Sequence, residues 1–218
     1  MTNRIESLTP AQEAQMAPWA AKWTALALST EPADRPAAES SLRAMYRYAR
    51  LAEPEIVWAS NPQEMGQILA DSDTGEAVWD AVDTAVRDAV DTAVRSAVDT
   101  AVRSAVDTAV RSAVWSAVWS AVRSALRSAV RSAVRSAMES VVRSAVRSAY
   151  DGGQNWASWT AAESYYREVC GLTLPGDLSD RGKALADYRS SVGPGLWFER
   201  LAILCERPLS FTPLTWRR

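Results

Sequence analysis

A strict four-residue repeat is the feature that most limits how this chain of 218 residues can fold. It runs without a break from Ala77 to Ala149, nineteen units in all, and no glycine or proline interrupts it. Alanine fills the first slot of nearly every unit, valine the second, a charged residue most third slots, and serine or threonine most fourth slots. An α-helix repeats every ~3.6 residues and a strand every ~2, so a period of four matches neither.

As a helix, the repeat would turn its apolar face steadily around the axis. Four residues advance by about 400°, so the alanine-valine face drifts by about 40° per unit and circles the helix once in about nine units. A two-stranded coiled coil supercoils far more gently than this. One straight partner therefore cannot cover the stripe, and a right-handed wrap, several partners or breaks into shorter helices are expected.

Local signals favour a helical repeat over the alternatives. Asp73 and Glu76 are typical of a helix start, and Gly152 and Gly153 of a helix end. The third slot alternates between Asp and Arg from residue 83 to residue 111, which places opposite charges at i,i+4. A β-solenoid stays open as an alternative because Val and Thr favour strands, and a disordered low-complexity segment is a third one.

The sequence before the repeat carries three helix starts. Thr9 and Gln12 form a capping box, which predicts a helix to about Ser29. Asp34 and Asn61, each followed by a proline within two residues, predict the starts of a second and a third helix.

Both flanks also contain a short apolar strand candidate, "EIVWA" before the repeat and "RLAILCE" after it. Between the repeat and the second strand, "NWASWTAAESYYREVC" and "LSDRGKALADYRSS" are predicted helices. We expect the strands to pair, so that the flanks form one small α+β lobe. The predicted fold is mainly α, with segments 1–73 and 153–218 forming the lobe and 74–152 the repeat.

Composition narrows the possible functions. The net charge is −2 and no histidine is present, which removes the commonest general base and metal ligand. Cys170 and Cys205 lie in apolar stretches and are expected to be reduced thiols. No phosphate-binding loop, signal peptide or membrane-spanning run is found, so we expect a cytoplasmic protein without a cofactor, a metal or catalytic residues.

Residues that break the repeat pattern are the candidate interaction residues. Tryptophan replaces the charge of the third slot at Trp79, Trp115 and Trp119, and we expect the rings of Trp115 and Trp119 to be largely buried, by the lobe or by another chain. Further on, the third slot becomes basic, at Arg123, Arg127, Arg131, Arg135, Arg143 and Arg147.

These features predict a non-enzymatic scaffold or interaction protein that acts through its repeat. An apolar stripe too long for the lobe to cover, with an acidic first half and a basic second half, predicts a homo-oligomer; another protein partner is possible. The alternatives are a repeat protein that binds or mimics nucleic acid, and an enzyme that uses carboxylates such as Glu168, Glu199 or Glu206.

The order of segments resembles an uncharacterised bacterial family, known only as a domain of unknown function. The similar stretches are "PEIVWASNP", the alanine-valine-arginine repeat, "NWASWTAAESYYREVCGL" and "FERLAILCERP", which together span most of residues 40–208. In that family further strand-rich sequence follows the "ERP" stretch, so this chain looks like a truncated member. The resemblance implies no activity and no functional residues.

Overall fold

A computed structural model describes residues 4–119 and 157–208 of the chain. Within these residues the protein is mainly helical with one small sheet, which confirms the predicted fold class. The described part of the repeat is helical, so the β-solenoid alternative is wrong there.

The first flank forms the predicted elements. They are helix α1 (Pro10–Ala27), helix α2 (Arg35–Tyr48), strand β1 (Glu55–Ala59) and helix α3 (Pro62–Asp71). The side chain of Thr9 accepts from the Gln12 amide in a complete capping box, and the side chains of Asp34 and Asn61 cap α2 and α3. Each of these helix starts therefore follows from a local sequence signal.

The described part of the repeat, up to residue 119, forms two helical stretches, each containing one π-helical turn. The first comprises α4 (Trp79–Asp83), the first π turn (Thr84–Asp88) and α5 (Ala89–Ala97). The second comprises α6 (Thr100–Val106), the second π turn (Asp107–Arg111) and a helical continuation over 112–119.

The two stretches meet at Val98, whose backbone is extended with φ −118° and ψ 130°. The N-terminal segment pairs with this break: the Ile5 amide donates to the Ala97 carbonyl at 2.9 Å, and the Asp99 amide donates to the Ile5 carbonyl at 2.9 Å. The Asp99 carboxylate then caps α6 by accepting from the Ala101 amide at 2.8 Å. Several backbone groups at the break are thus engaged by specific partners.

Every second-slot valine of the described repeat is buried. None is more than 6% exposed, and they are Val78, Val82, Val86, Val90, Val94, Val98, Val102, Val106, Val110, Val114 and Val118. The stripe was expected to be too long for the lobe to cover. That expectation is wrong for these residues, because the chain covers them itself.

The π turns and the break explain how a period of four stays on one face. A π turn holds one more residue than an α turn and so returns the helix by about 100°. The first π turn, the break at Val98 and the second π turn follow one another at intervals of about three units. Three units of α-helix drift by about 120°, so each π turn cancels most of the accumulated rotation, and the valines on both sides of the break at Val98 are buried.

The second flank completes the lobe with α7 (Ala157–Glu168), α8 (Leu178–Ser191), β2 (Gly195–Trp197) and β3 (Leu201–Cys205). The sheet has the order β1-β3-β2. Strand β1 is parallel to β3 with Glu55 opposite Leu201, which confirms the predicted pairing of the flanks. Strand β2, antiparallel to β3, was not predicted.

The repeat packs between the two flanks. Val78, Val82 and Val86 join the core formed by α2, α8 and one side of the sheet. The valines from Val90 to Val118 join the core formed by α1 and α7. A third cluster on the sheet contains Met65 of α3.

The repeat helix starts later than the sequence suggests. It begins at Trp79, not near Asp73 and Glu76. Residues before it extend the sheet instead: the Glu199 amide donates to the Glu76 carbonyl at 2.9 Å, and the Val78 amide to the Trp197 carbonyl at 3.1 Å. The Asp-x-x-Glu pattern is thus overridden by tertiary pairing with β2.

Candidate functional site

The third-slot residues lie beside the buried valines of the described repeat, and most of them are half-buried; Arg95, Arg111 and Trp115 are exposed. Each follows a buried valine by one residue, about 100° around the helix, so the irregularities that fix the valines also keep the third slots together. We call this set the third-slot file, and its members are Asp83, Arg87, Asp91, Arg95, Asp99, Arg103, Asp107, Arg111, Trp115 and Trp119.

Most charges of the third-slot file are paired along the helix. Salt bridges at i,i+4 join Asp83 to Arg87 at 2.7 Å, Asp91 to Arg95 at 2.6 Å, and Asp107 to Arg111 at 2.7 Å. This confirms the charge ladder expected for a helix. Asp99 and Arg103 are the exceptions: the Asp99 carboxylate caps α6, and Arg103 donates to the Arg95 carbonyl and the Thr100 hydroxyl.

The environment of the file changes along its length. The Asp83 side chain is 14% exposed, and burial raises its pKa to about 6 although Arg87 opposes the shift. Burial also raises the pKa of Asp107, against Arg111 and Arg103. Arg95 is 65% exposed. The aspartates Asp83 and Asp107 are therefore more covered than the exposed Arg95.

The file ends, within the described residues, in a pair of stacked indoles. The rings of Trp115 and Trp119 lie 5.0 Å apart at an interplanar angle of 14°. Trp119 is half-buried, whereas Trp115 is 43% exposed. The expected burial is therefore wrong for Trp115 within the chain, because the helix brings the two rings onto each other and the lobe does not cover the outer one. Burial by a neighbouring chain stays a prediction.

The structure describes little of the other candidate interaction residues. Trp79 is the first residue of α4, and only its backbone is described. The basic third slots lie outside the described residues; they are Arg123, Arg127, Arg131, Arg135, Arg143 and Arg147.

Side chains of the second flank that touch the repeat carried no signal in the sequence. Arg181 donates to the Ala85 carbonyl at 2.6 Å, inside the first π turn, and the Trp159 indole donates to Asp91 at 3.2 Å. Polar contacts between distant segments leave no local pattern, so only the fold reveals them.

Two thiols and one candidate carboxylate of the described residues are held by their surroundings. Burial raises the pKa of Cys170 to about 11 and that of Cys205 to about 12, so both thiols stay protonated at neutral pH. The candidate carboxylate of Glu206 is held by Arg35 at 2.8 Å and by the Ala33 amide at 3.0 Å. No group of three or more metal-ligating side chains occurs in residues 4–119 and 157–208.

No protein-family model, curated protein or solved structure matches this chain. The resemblance to an uncharacterised bacterial family therefore stays a prediction. None of the helices that the structure describes is long and apolar enough to cross a membrane.

Proposed function

We propose that this protein is a non-enzymatic interaction protein that self-associates through the third-slot file, with Trp115 and Trp119 as the anchor of the contact. The observation that carries the proposal is the exposure of Trp115. Among the described residues it is the one large hydrophobic side chain that is exposed. Its partner ring lies flat against it, so the pair offers a rigid aromatic surface to another molecule.

Tryptophan is well suited to anchor such a contact. An indole buries about 150–250 Å² and is enriched among residues that dominate binding energy. Two tryptophans in adjacent units also replace charges that would otherwise continue the ladder. Their position therefore favours a surface that is covered in an assembly.

A second copy of the chain is the partner that the file favours. Its four Asp and four Arg residues from Asp83 to Arg111 have a net charge of zero, so a second copy meets no net repulsion along the same surface. A two-fold contact of this kind is self-complementary. The alanine-valine stripe no longer supports self-association over the described residues, because its valines are covered within the chain.

The proposal is tested by sedimentation velocity on the full chain at tens of micromolar. We expect the parent to form oligomers and the double variant Trp115→Arg/Trp119→Arg to be monomeric with an unchanged far-ultraviolet circular-dichroism spectrum. The matched control is Ala105→Arg/Ala109→Arg, which adds two arginines at exposed i,i+4 positions of the same helical stretch without removing an indole. A monomeric parent, or a tryptophan variant that assembles like the parent, would contradict the proposal.

Nucleic-acid binding is the competing outcome. Most charges from Asp83 to Arg111 are paired within the chain, so they give little support to nucleic-acid binding. The exposed indole gives more support to protein association. Fluorescence anisotropy with labelled DNA and RNA distinguishes nucleic-acid binding from protein association. Binding at low salt that collapses steeply as salt rises would favour the alternative.

A further inference from the structure

The small sheet has one covered edge and one open edge. Next to β2, residues 76–78 bond to the sheet, as described above. On the opposite side β1 is the last strand, since the strand order is β1-β3-β2. Among residues 4–119 and 157–208, no group bonds to the outer side of β1. An open edge of this kind offers its amides and carbonyls to another strand.

The pairing of β1 with β3 identifies the open backbone groups. At the two ends of β1, the Glu55 amide and the Ala59 carbonyl bond to the chain at the ends of β3, each at 2.9 Å. The backbone groups of successive strand residues point to opposite edges of the sheet, so Val57 also faces β3. The amides and carbonyls of Ile56 and Trp58 therefore point outwards.

Apolar side chains line this open edge on both faces of the sheet. Ile56 and Trp58 pack on the face shared with α2 and α8, and Val57 packs on the face shared with α3. All three are half-buried, whereas every residue of β3 is buried. Charged residues and prolines commonly protect sheet edges from pairing, and residues 56–58 contain neither. The edge is therefore suited to accept a further strand.

A second copy of β1 satisfies all of the open groups. In an antiparallel pair centred on Val57, Ile56 of each copy lies opposite Trp58 of the other. Each of these two positions exchanges two hydrogen bonds, so together they use every outward amide and carbonyl of both strands. The contact is two-fold and self-complementary.

Pairings centred one residue away satisfy fewer groups. A pair centred on Ile56 places Trp58 opposite Pro54, which has no amide to donate. A pair centred on Trp58 places Ile56 opposite Ser60, whose amide already donates to Glu64 at 2.7 Å. The local backbone chemistry thus favours the pairing centred on Val57.

The same pairing keeps like charges apart. Glu55, the one charged residue of β1, lies opposite Ala59 of the other copy. The two Glu55 residues are separated by four residues along the strands, or about 13 Å. This distance exceeds the screening length of about 8 Å at physiological ionic strength. Their repulsion therefore does not oppose the contact.

We propose that β1 pairs antiparallel with β1 of a second copy, centred on Val57, so that the two sheets join into one of six strands. Each copy contributes a strand of only five residues. Such a contact buries less than the roughly 1,200 Å² of a stable interface, so we expect a dissociation constant of several hundred micromolar. It uses other residues than the contact at Trp115 and Trp119 and does not depend on it.

The test measures amide exchange with water by NMR, on the full-length chain at tens of micromolar and at millimolar concentration. About two-thirds of the strands should be paired at the higher concentration, which slows exchange of the Ile56 and Trp58 amides about threefold. The Val57 and Ala59 amides bond within the sheet and serve as internal references. The variant Trp115→Arg/Trp119→Arg should show the same slowing, so this result is separate from the test of the proposed function.

Position 57 tests the pairing itself, because each copy places this residue opposite its own equivalent. Val57→Lys brings two like charges to within about 5 Å, measured between Cβ atoms, and Val57→Glu does the same. We expect either variant alone to lose the slowing, and an equimolar mixture to regain it through Lys–Glu pairs. Gln15→Lys is the matched control, because it adds the same charge at an exposed position of α1.

Three results would overturn the proposal. One is equal exchange of the Ile56 and Trp58 amides at both concentrations; slow exchange at both would mean that the same chain covers the edge. Another is a folded Val57→Lys variant that keeps the slowing, and the third is a mixture that behaves like the single variants. The parent chain alone decides the question if the variants at position 57 fail to fold by circular dichroism.

Discussion

The lobe around the sheet and the described repeat beside it both bury an apolar core, but they do so with different side chains. The sheet core uses large and varied residues, among them Tyr46, Tyr188 and Ile203, none of them exposed. Specific bonds join them, such as the one from the Tyr46 hydroxyl to the Phe198 carbonyl at 2.9 Å. The repeat core uses valine at every layer. The repeat side of its core is therefore nearly the same at each step, whereas the flanks face it with varied residues such as Trp23, Tyr165 and Tyr166.

Identical layers create an ambiguity that varied layers do not have. A shift of the repeat by four residues would replace each buried valine with another valine. Packing alone therefore discriminates weakly between the correct register and its neighbours. The register must therefore be fixed by contacts that do not repeat every four residues.

Three irregular contacts do this in the described chain. Arg181 binds the Ala85 carbonyl, Trp159 binds Asp91, and Ile5 pairs at the break beside Val98. All three come from the flanks. The comparison teaches that the regular region depends on the irregular one for its alignment as well as for its cover.

The largest expected effect comes from changing the length of the second helical stretch. Insertion of one alanine between Ala109 and Val110 would rotate Val110, Val114 and Val118 by about 100° away from the core. Each exposed valine costs about 1.5 kcal/mol or more, so we expect the free energy of unfolding to fall by more than about 4 kcal/mol. Urea denaturation measures this.

Deletion of Ala109 is the matched control and should be mild. The second π turn already holds one extra residue, so removing one converts it to an ordinary α turn and leaves the later valines in place. We expect a loss below about 1 kcal/mol. If the deletion is as harmful as the insertion, the π turn does not correct the drift of the repeat.

A second prediction compares single truncations in the two cores. Ile203→Ala in the central strand should lower the free energy of unfolding by about 2–5 kcal/mol. Val106→Ala removes two methyl groups, worth about 1.6 kcal/mol by transfer alone. Both residues are fully buried, but Ile203→Ala removes three carbons and Val106→Ala two, so the losses measured by chemical denaturation are compared per carbon removed. An equal or greater loss per carbon for Val106→Ala would show that the repeat core is as specifically packed as the sheet core.

The flanks and the repeat also differ in how much of their structure the sequence predicts. Thr9, Asp34 and Asn61 cap helices where the sequence indicates, because capping is a local interaction. The pairing of β1 with β3 was foreseen from two short apolar runs. The π turns were not, because nothing distinguishes their residues from other units; they arise where the flanks require the valines to face inwards.

The candidate site was predictable only in outline. The i,i+4 ladder follows from the spacing of Asp and Arg, and the stacking of Trp115 on Trp119 follows from the same spacing. The exposure of Trp115 and the contact of Trp159 with Asp91 depend on how α7 lies against the repeat. No local pattern encodes that placement.

The smallest expected effects come from two charged residues of the third slot that have different roles. Asp99→Ala removes the cap of α6 at the break and should cost about 1 kcal/mol. Arg95→Ala removes an ion pair whose arginine is 65% exposed, and should cost only about 0.2–0.5 kcal/mol at low salt and less at high salt. Urea denaturation at two salt concentrations separates them, because the cap is nearly insensitive to screening. A salt-independent loss above about 1 kcal/mol for Arg95→Ala would mean that the ladder itself holds the repeat helix. The expected small loss would mean that the regular charges contribute little to holding the repeat in place. The alignment of the repeat then depends on the few positions, such as Asp99, where a third-slot residue makes a different contact.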